Sequence, residues 1–204
     1  MNAPLLRDLR TAYDGMVNER EGKRLHPWKA AERARFLAMV QAEGRERLLE
    51  IGVGTGRDSL FFQEQGLTVT CTDLSPAMVE RCRSKGLDAH VVAFADLDQH
   101  FPANTFDAIY AVNCLLHVPK AELPTILGKI QTILAPGGLF YWGQYGGVDL
   151  EGVWEGDHYV PKRFFARYTD EQFQQLPHPL FKTEAFCVIS HSVEGHFHSL
   201  LLRK

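Results

Sequence analysis

The hydrophobic pattern of the chain changes rhythm near residue 47. Before it, apolar positions recur at helical spacing over about residues 4–20 and 27–43. In the second stretch Trp28, Ala31, Leu37 and Val40 fall near one stripe, while Glu32, Arg33 and Arg35 fall elsewhere. His26-Pro27 interrupts the pattern, and Pro27 suits a first helical position. After residue 47, short apolar runs alternate with amphipathic segments. Leu48 to Ile51 predicts a buried strand, followed by a glycine loop and a helix over about 57–65 that Gly66 ends. Leu67 to Thr72 predicts a second strand, and Ser75-Pro76 opens a helix that Gly86 closes. Further strands are predicted at 89–94, 106–112 and 138–145, with a helix over about 121–134 between the last two.

Strands alternating with helices predict an α/β fold, a mostly parallel sheet covered on both faces through right-handed crossovers. The C-terminal part reads differently. Thr169 to Leu176 predicts a helix with Thr169 as cap. Residues 181–190 and 196–203 predict two strands joined by Val193-Glu194-Gly195, an antiparallel hairpin.

Composition narrows the classes. Of the 204 residues 45% are hydrophobic and 23% charged, the mix of a packed globular chain. Net charge is −3, with a mildly basic N-terminal part, an acidic remainder and no block of like charges. That argues against a nucleic-acid binder that works through phosphate contacts. Cys71, Cys82, Cys114 and Cys187 show no C-x-x-C spacing, so free thiols and no metal centre are expected. His196 and His198 share a strand face with no Asp or Cys partner nearby in the sequence, and packing is expected of them rather than ligation. The first residues are charged, without the apolar core of a secretory signal, and no run approaches the ~18 apolar residues of a membrane span. A cytoplasmic protein without a membrane partner is the expectation.

The segment Leu48-Leu49-Glu50-Ile51-Gly52-Val53-Gly54-Thr55-Gly56 carries the most chemistry. A strand feeding a glycine turn and then a helix lets main chain approach a ligand closely and offers free N–H groups to it. The dinucleotide fingerprint G-x-G-x-x-G would need glycine where Arg57 stands; the pattern here is E-x-G-x-G-x-G. With that segment, Asp73 after the second strand, Ala95-Asp96-Leu97 after the third, Phe106-Asp107-Ala108-Ile109 followed by Asn113-Cys114-Leu115-Leu116-His117, and Leu134-Ala135-Pro136-Gly137-Gly138 stand in order. The ordered set, over about residues 46–145, resembles the class I S-adenosylmethionine-dependent methyltransferases, in particular their small-molecule branch.

The resemblance implies a Rossmann-like seven-stranded sheet with a C-terminal antiparallel hairpin and an N-terminal helical cap, with S-adenosylmethionine as cofactor. It implies that Gly52, Gly54 and Gly56 admit the amino-acid end, and that Glu50 supplies negative charge near the ammonium and sulfonium. It further implies that Asp73 accepts from both ribose hydroxyls, that Leu74, Met78 and Leu97 enclose the adenine, and that Asp96 accepts from its amine. The Asn113-Cys114 main chain would pass the sulfonium, and Tyr13 would cover the methionine end. On this reading residues 1–204 form one domain: a cap (1–45), a cofactor core (46–145), a lid over the acceptor (146–168), and a C-terminal helix and hairpin (169–204). The activity implied is methyl transfer to a small-molecule acceptor by in-line displacement, with proximity and orientation supplying most of the acceleration. The alternative is a non-catalytic binder of the same cofactor. His117 is the candidate general base, set against a histidine that merely starts the next helix. Cys114 reads as a packed loop cysteine rather than a nucleophile. The motifs concern the cofactor alone and leave the acceptor atom and the oligomeric state open.

Overall fold

The computed structural model describes residues 3–192 and 195–204. Val193 and Glu194, expected to join the last two strands, lie outside the described residues. Three helices open the chain: α1 (Ala3–Asp14), α2 (Val17–Gly22) and α3 (Pro27–Ala42). The single helix expected over 4–20 is thus two. Gly15, a poor helix former, follows α1, and the Met16 N–H bonds Tyr13 O at 3.0 Å in a tightened last turn that ends the helix. The break redirects α2 and brings the Arg20 guanidinium over the Tyr13 ring, 5.1 Å from its centre, beside Gly54.

The strands are β1 (Arg47–Ile51), β2 (Thr68–Asp73), β3 (Asp88–Val91), β4 (Phe106–Val112), β5 (Leu134–Gly146), β6 (Leu150–Val153), β7 (Phe164–Arg167), β8 (Lys182–Ser192) and β9 (Gly195–Arg203). Seven form one sheet in the order β3-β2-β1-β4-β5-β9-β8. The first five are parallel, and β9 runs antiparallel to both β5 and β8. Between them lie α4 (Arg57–Glu64), α5 (Pro76–Arg83), the short α6 (Leu97–His100), α7 (Leu123–Ile133) and α8 (Asp170–Gln175). The fold class is the one expected, and differences are local. β3 stops at Val91 and gives way to a 3-10 turn at Phe94–Asp96, so Phe94 leaves the sheet.

Period-two alternation sends β1 and β4 side chains to opposite faces. Leu48, Ala108 and Tyr110 meet Phe36 and Val40 of α3 and Phe62 of α4 on one face. Leu49 and Ile109 meet Ile126, Ile130 and Ile133 of α7 on the other. Caps fix the helix starts: Ser75 Oγ accepts from the Met78 N–H ahead of Pro76, and Thr169 and Gln172 form a reciprocal capping box. Strand order reverses between β1 and β4, so the loops beyond their carboxyl ends face each other across a crevice.

The stretch after β5, without readable periodicity in the sequence, contains a two-stranded antiparallel ribbon, β6–β7. All four cysteines are free. Among the described residues no helix is long and apolar enough to cross a membrane. His196 and His198 do have an acidic neighbour: Asp170 Oδ1 lies 2.6 Å and 2.7 Å from their Nε2 atoms. Asp170 comes from α8, a tertiary approach that sequence proximity does not reveal.

Candidate functional site

The glycine loop leaves β1 with the Gly52 and Val53 N–H groups donating to Thr72 O, at 2.8 and 3.0 Å. Gly52 and Gly54 have φ of +69° and +58°, a left-handed backbone that favours glycine. A Cβ on Gly52 would collide with the Cys114 side chain, so this glycine lets the β1 and β4 loops touch. A Cβ on Gly54 would meet only the Arg20 guanidinium, 3.6 Å away. Opposite stands Asp73 at the end of β2. Its Oδ2 accepts from the Gly54 N–H and its Oδ1 from the Ser75 N–H, each at 2.9 Å. Burial pushes this carboxyl above its ordinary range, opposed by the backbone donors and by Arg20. Each oxygen retains accepting capacity.

A cavity extends from Asp73 and Leu74 past Gly52 and Gly54 to Asn113 and Cys114, with Ala93 and Phe94 on its wall. Helix α1 roofs it with Leu6, Leu9 and Tyr13. Arg10 Nε donates to Leu74 O at 3.2 Å, and Asp14 accepts from Ser75 Oγ and the Ala77 N–H, which ties the roof to the start of α5. A wider cleft adjoins it and shares Tyr13, Arg20, Gly52, Val112, Asn113 and His117.

A buried network stands where the two spaces meet. His117 Nδ1 lies 2.7 Å from Phe164 O, which only a protonated Nδ1 can satisfy, so the Nε2 lone pair accepts from the Tyr13 hydroxyl at 2.7 Å. Arg163 Nη1 donates to the same phenol at 3.2 Å, while its Nε and Nη2 hold the two Asp157 oxygens at 2.8 and 2.9 Å. The Arg163 guanidinium also lies 3.4 Å over the Tyr159 ring. Burial drives His117 down to about 3, with Arg163 and Arg20 adding to it, so its imidazole is neutral near pH 7. Burial raises the Tyr13 phenol, opposed by Arg20 and Arg163, and it keeps its proton.

Residues 48–138 match the model of the methyltransferase domain family. Over that region the chain is similar to methyltransferase domains. Curated relatives include glycine N-methyltransferase of Rattus norvegicus, 30% identical over 128 residues, covering 54% of this chain and 44% of that protein. The ubiquinone biosynthesis O-methyltransferase of Xylella fastidiosa is 35% identical over 101 residues, covering 47% and 40%. The chain therefore spans less than half the length of these relatives. Among solved structures, Burkholderia thailandensis 1,6-didemethyltoxoflavin-N1-methyltransferase, with its substrate and S-adenosylhomocysteine bound, superposes with a TM-score of 0.75 at 22% identity, over 100% of this chain and 91% of that one. The [4+2]-cyclase SpnF superposes at 0.73 and 18% identity, over 100% and 98%. At such identities the likeness is one of fold.

Within the matched region, the structure places several of the expected site residues away from the cavity. Gly56 does not face the cavity: a Cβ there would meet Leu87 and Cys82 at 2.7 and 3.0 Å, so it serves helix packing. Met78 and Leu97 are fully buried in the core and do not line the cavity, whose wall near Leu74 is Phe94. Asp96 closes the 3-10 turn away from that lining. Glu50 does line the wider cleft, but burial, with Asp58 adding, raises its carboxyl well above the carboxylate range, and Ser59 Oγ donates to it at 2.5 Å. That shift favours the protonated form and weakens the negative charge expected of Glu50. His117 is occupied by Tyr13 and too weakly basic for a general base matched to neutral pH. Arg20 and Arg163 carry no sequence signal, because they converge only through the α1–α2 break and the fold of residues 147–163.

Proposed function

We propose that the chain transfers a methyl group from S-adenosylmethionine to a small-molecule acceptor. The observation that carries the reading is the pairing of two spaces: a narrow cavity between Asp73 and the glycine loop, and a wider cleft that joins it at Tyr13 and His117. The cavity suits the cofactor on its own chemistry. Asp73 would accept from the ribose diol, Leu74 and Phe94 would flank the adenine, and the Asn113-Cys114 main chain would run beside the sulfonium. The Arg20 Nε, buried without a partner among the described residues, is a donor suited to the cofactor's carboxylate over Gly54. When bound, the cofactor supplies an electrophilic methyl on a good leaving group.

The protein's share is orientation and exclusion of water. Tyr13, held by His117 and Arg163, closes the methionine end and borders the acceptor; His117 is a positioning residue. Residues 146–168 act as the lid, with Trp154, 47% exposed, at the cleft and Tyr159 beneath Arg163. Calorimetry with S-adenosylhomocysteine and NAD, then labelled methyl transfer from S-adenosylmethionine into a metabolite extract, tests the proposal. Micromolar binding of the former with extractable labelled product is expected. Binding without any transfer would leave a cofactor-binding protein, and absence of binding would overturn the reading.

A further inference from the structure

Seven cations line the wider cleft: Arg20, Lys23, Arg24, Lys29, Arg57, Arg163 and Arg167, against the acids Glu50 and Asp58. The acids contribute little negative charge, since burial favours the protonated form of Glu50 and Asp58 is held at 2.8 Å by Arg33. Some of the cations are engaged: Arg163 by Asp157, Lys23 by Glu19 at 2.8 Å, and Arg57 by the carbonyl of Lys23. Others are not. Among the described residues Arg24, Lys29 and Arg167 have no carboxylate partner. Lys29 Nζ rests only on rings, 5.0 Å over Tyr145 and 5.2 Å over Trp28. The Arg167 Nε is buried with no acceptor, and its guanidinium lies 5.8 Å over Phe165.

The rings beside these cations connect them to residues at the junction of the two spaces. Tyr145, beneath Lys29, donates its N–H to Asn113 Oδ1 at 3.3 Å, and Asn113 borders both spaces. Phe165, beside Arg167, lies 4.9 Å from His117 and 6.1 Å from Trp154. The cleft thus offers ring faces for a flat apolar body and, in the same lining, cations without a carboxylate partner among the described residues. Free cations next to a sulfonium disfavour a cationic acceptor; a negative one relieves them.

We infer that the acceptor is a small organic anion with a flat, apolar body, its carboxylate or phosphate received by Lys29 and Arg167 in the cleft beneath Trp154. This rests on the methyltransferase reading for the word acceptor, but the charge preference of the cleft is measured without transfer. Full-length protein saturated with S-adenosylhomocysteine is titrated with 2-naphthoate, 2-naphthyl phosphate, neutral 2-naphthamide and cationic 2-naphthylmethylamine, with tryptophan fluorescence or calorimetry as readout. The expected result is at least about tenfold tighter binding of an anionic probe than of the amide, the scale of a charge-assisted pair, with the amine weakest. The carboxylate and phosphate arms separate the two oxyanions. Added salt should shrink the preference. In a Lys29→Gln/Arg167→Gln variant the preference should collapse, while affinity for S-adenosylhomocysteine, whose cavity neither residue lines, holds. Binding of the amide as tight as either anion, absence of anion binding, or a preference that survives in the double variant overturns the inference. Failure of S-adenosylhomocysteine to bind the wild-type protein instead overturns the methyltransferase reading, and the probes are then read on the unsaturated protein.

Discussion

Asp73 illustrates how structure can hold a single side chain ready for the ligand proposed here. Its carboxylate is pinned by two backbone N–H groups, so it stays in place without a ligand and pays little ordering entropy on binding. Asp73→Ala should therefore cost about tenfold or more in S-adenosylhomocysteine affinity, roughly the 1.5–3 kcal/mol of a charge-assisted hydrogen bond. Asp73→Glu should fall between, because the longer chain cannot keep both backbone partners. Calorimetry on each variant checks this, alongside thermal melting to separate loss of binding from loss of fold. Tyr13 and His117 make the complementary case. A neutral imidazole that only orients a phenol predicts kcat/KM with no His117 ionisation between about pH 5 and 8, whereas a general base would give an inflection there. His117→Gln, whose amide can both donate to Phe164 O and accept from Tyr13, should retain much of the activity, and His117→Ala should lose most of it.

At the scale of elements, legibility follows how local the cause is. The strands and helices of 47–145 were readable because parallel strands buried on both faces are short apolar runs, and because Ser75-Pro76 and Gly66 mark ends locally. The ribbon β6–β7 was not readable. Leu150 and Val153 are exposed while Phe165 and Ala166 are buried, so the two strands do not share one alternation. The α1–α2 break turned on one glycine. The site divides in the same way: Asp73 and the loop glycines sit on motifs, whereas Arg20 and Arg163 act through contacts made by segments far apart in the chain. Arg163 holds the lid's geometry through both Asp157 oxygens, the Tyr159 ring and the Tyr13 phenol at once. Lysine keeps the charge but not the fork. Arg163→Lys should cost about 1–3 kcal/mol by leaving a buried acceptor without its donor. It should speed chymotryptic cleavage within 147–163 and raise the acceptor KM several-fold, with a smaller change in cofactor affinity. Trimming residues 1–25 would be a poorer probe of the proposed lid, since α1 roofs the cavity proposed for the cofactor.

For the molecule as a whole, a fold shared with both a methyltransferase and a cyclase shows that architecture does not choose the chemistry; the site does. Shifted groups inside and outside this site make stability depend on pH. His117 holds a folded value of about 3 against an unfolded value near 6.5. Between those limits the unfolded chain binds a proton that the folded chain refuses, so stability falls as pH falls, by up to about 1.4 kcal/mol per pH unit from this one group. Two carboxylates act in the same direction lower down. Glu43 is held at about 2 chiefly by the Arg203 hydrogen bond, with Arg45 adding, and their stabilisation is lost as they protonate below about pH 4.5. Burial alone would raise Asp157, but the Arg163 hydrogen bonds and charge outweigh it and hold it at about 2. Stability should therefore fall in acid in two overlapping stages, the first beginning near pH 6.5 with His117 and the likewise lowered His198, and partly offset by the raised Glu50. Urea midpoints measured from pH 7.5 to 4 on the wild type and on His117→Gln separate them. The upper part of the slope should become shallower in the variant by the His117 share, the lowered His198 still contributing there, and the lower part should persist. An unchanged slope between pH 6.5 and 5 in His117→Gln would show that the imidazole is not held neutral in the fold, and the positioning role built on that neutrality would fail with it.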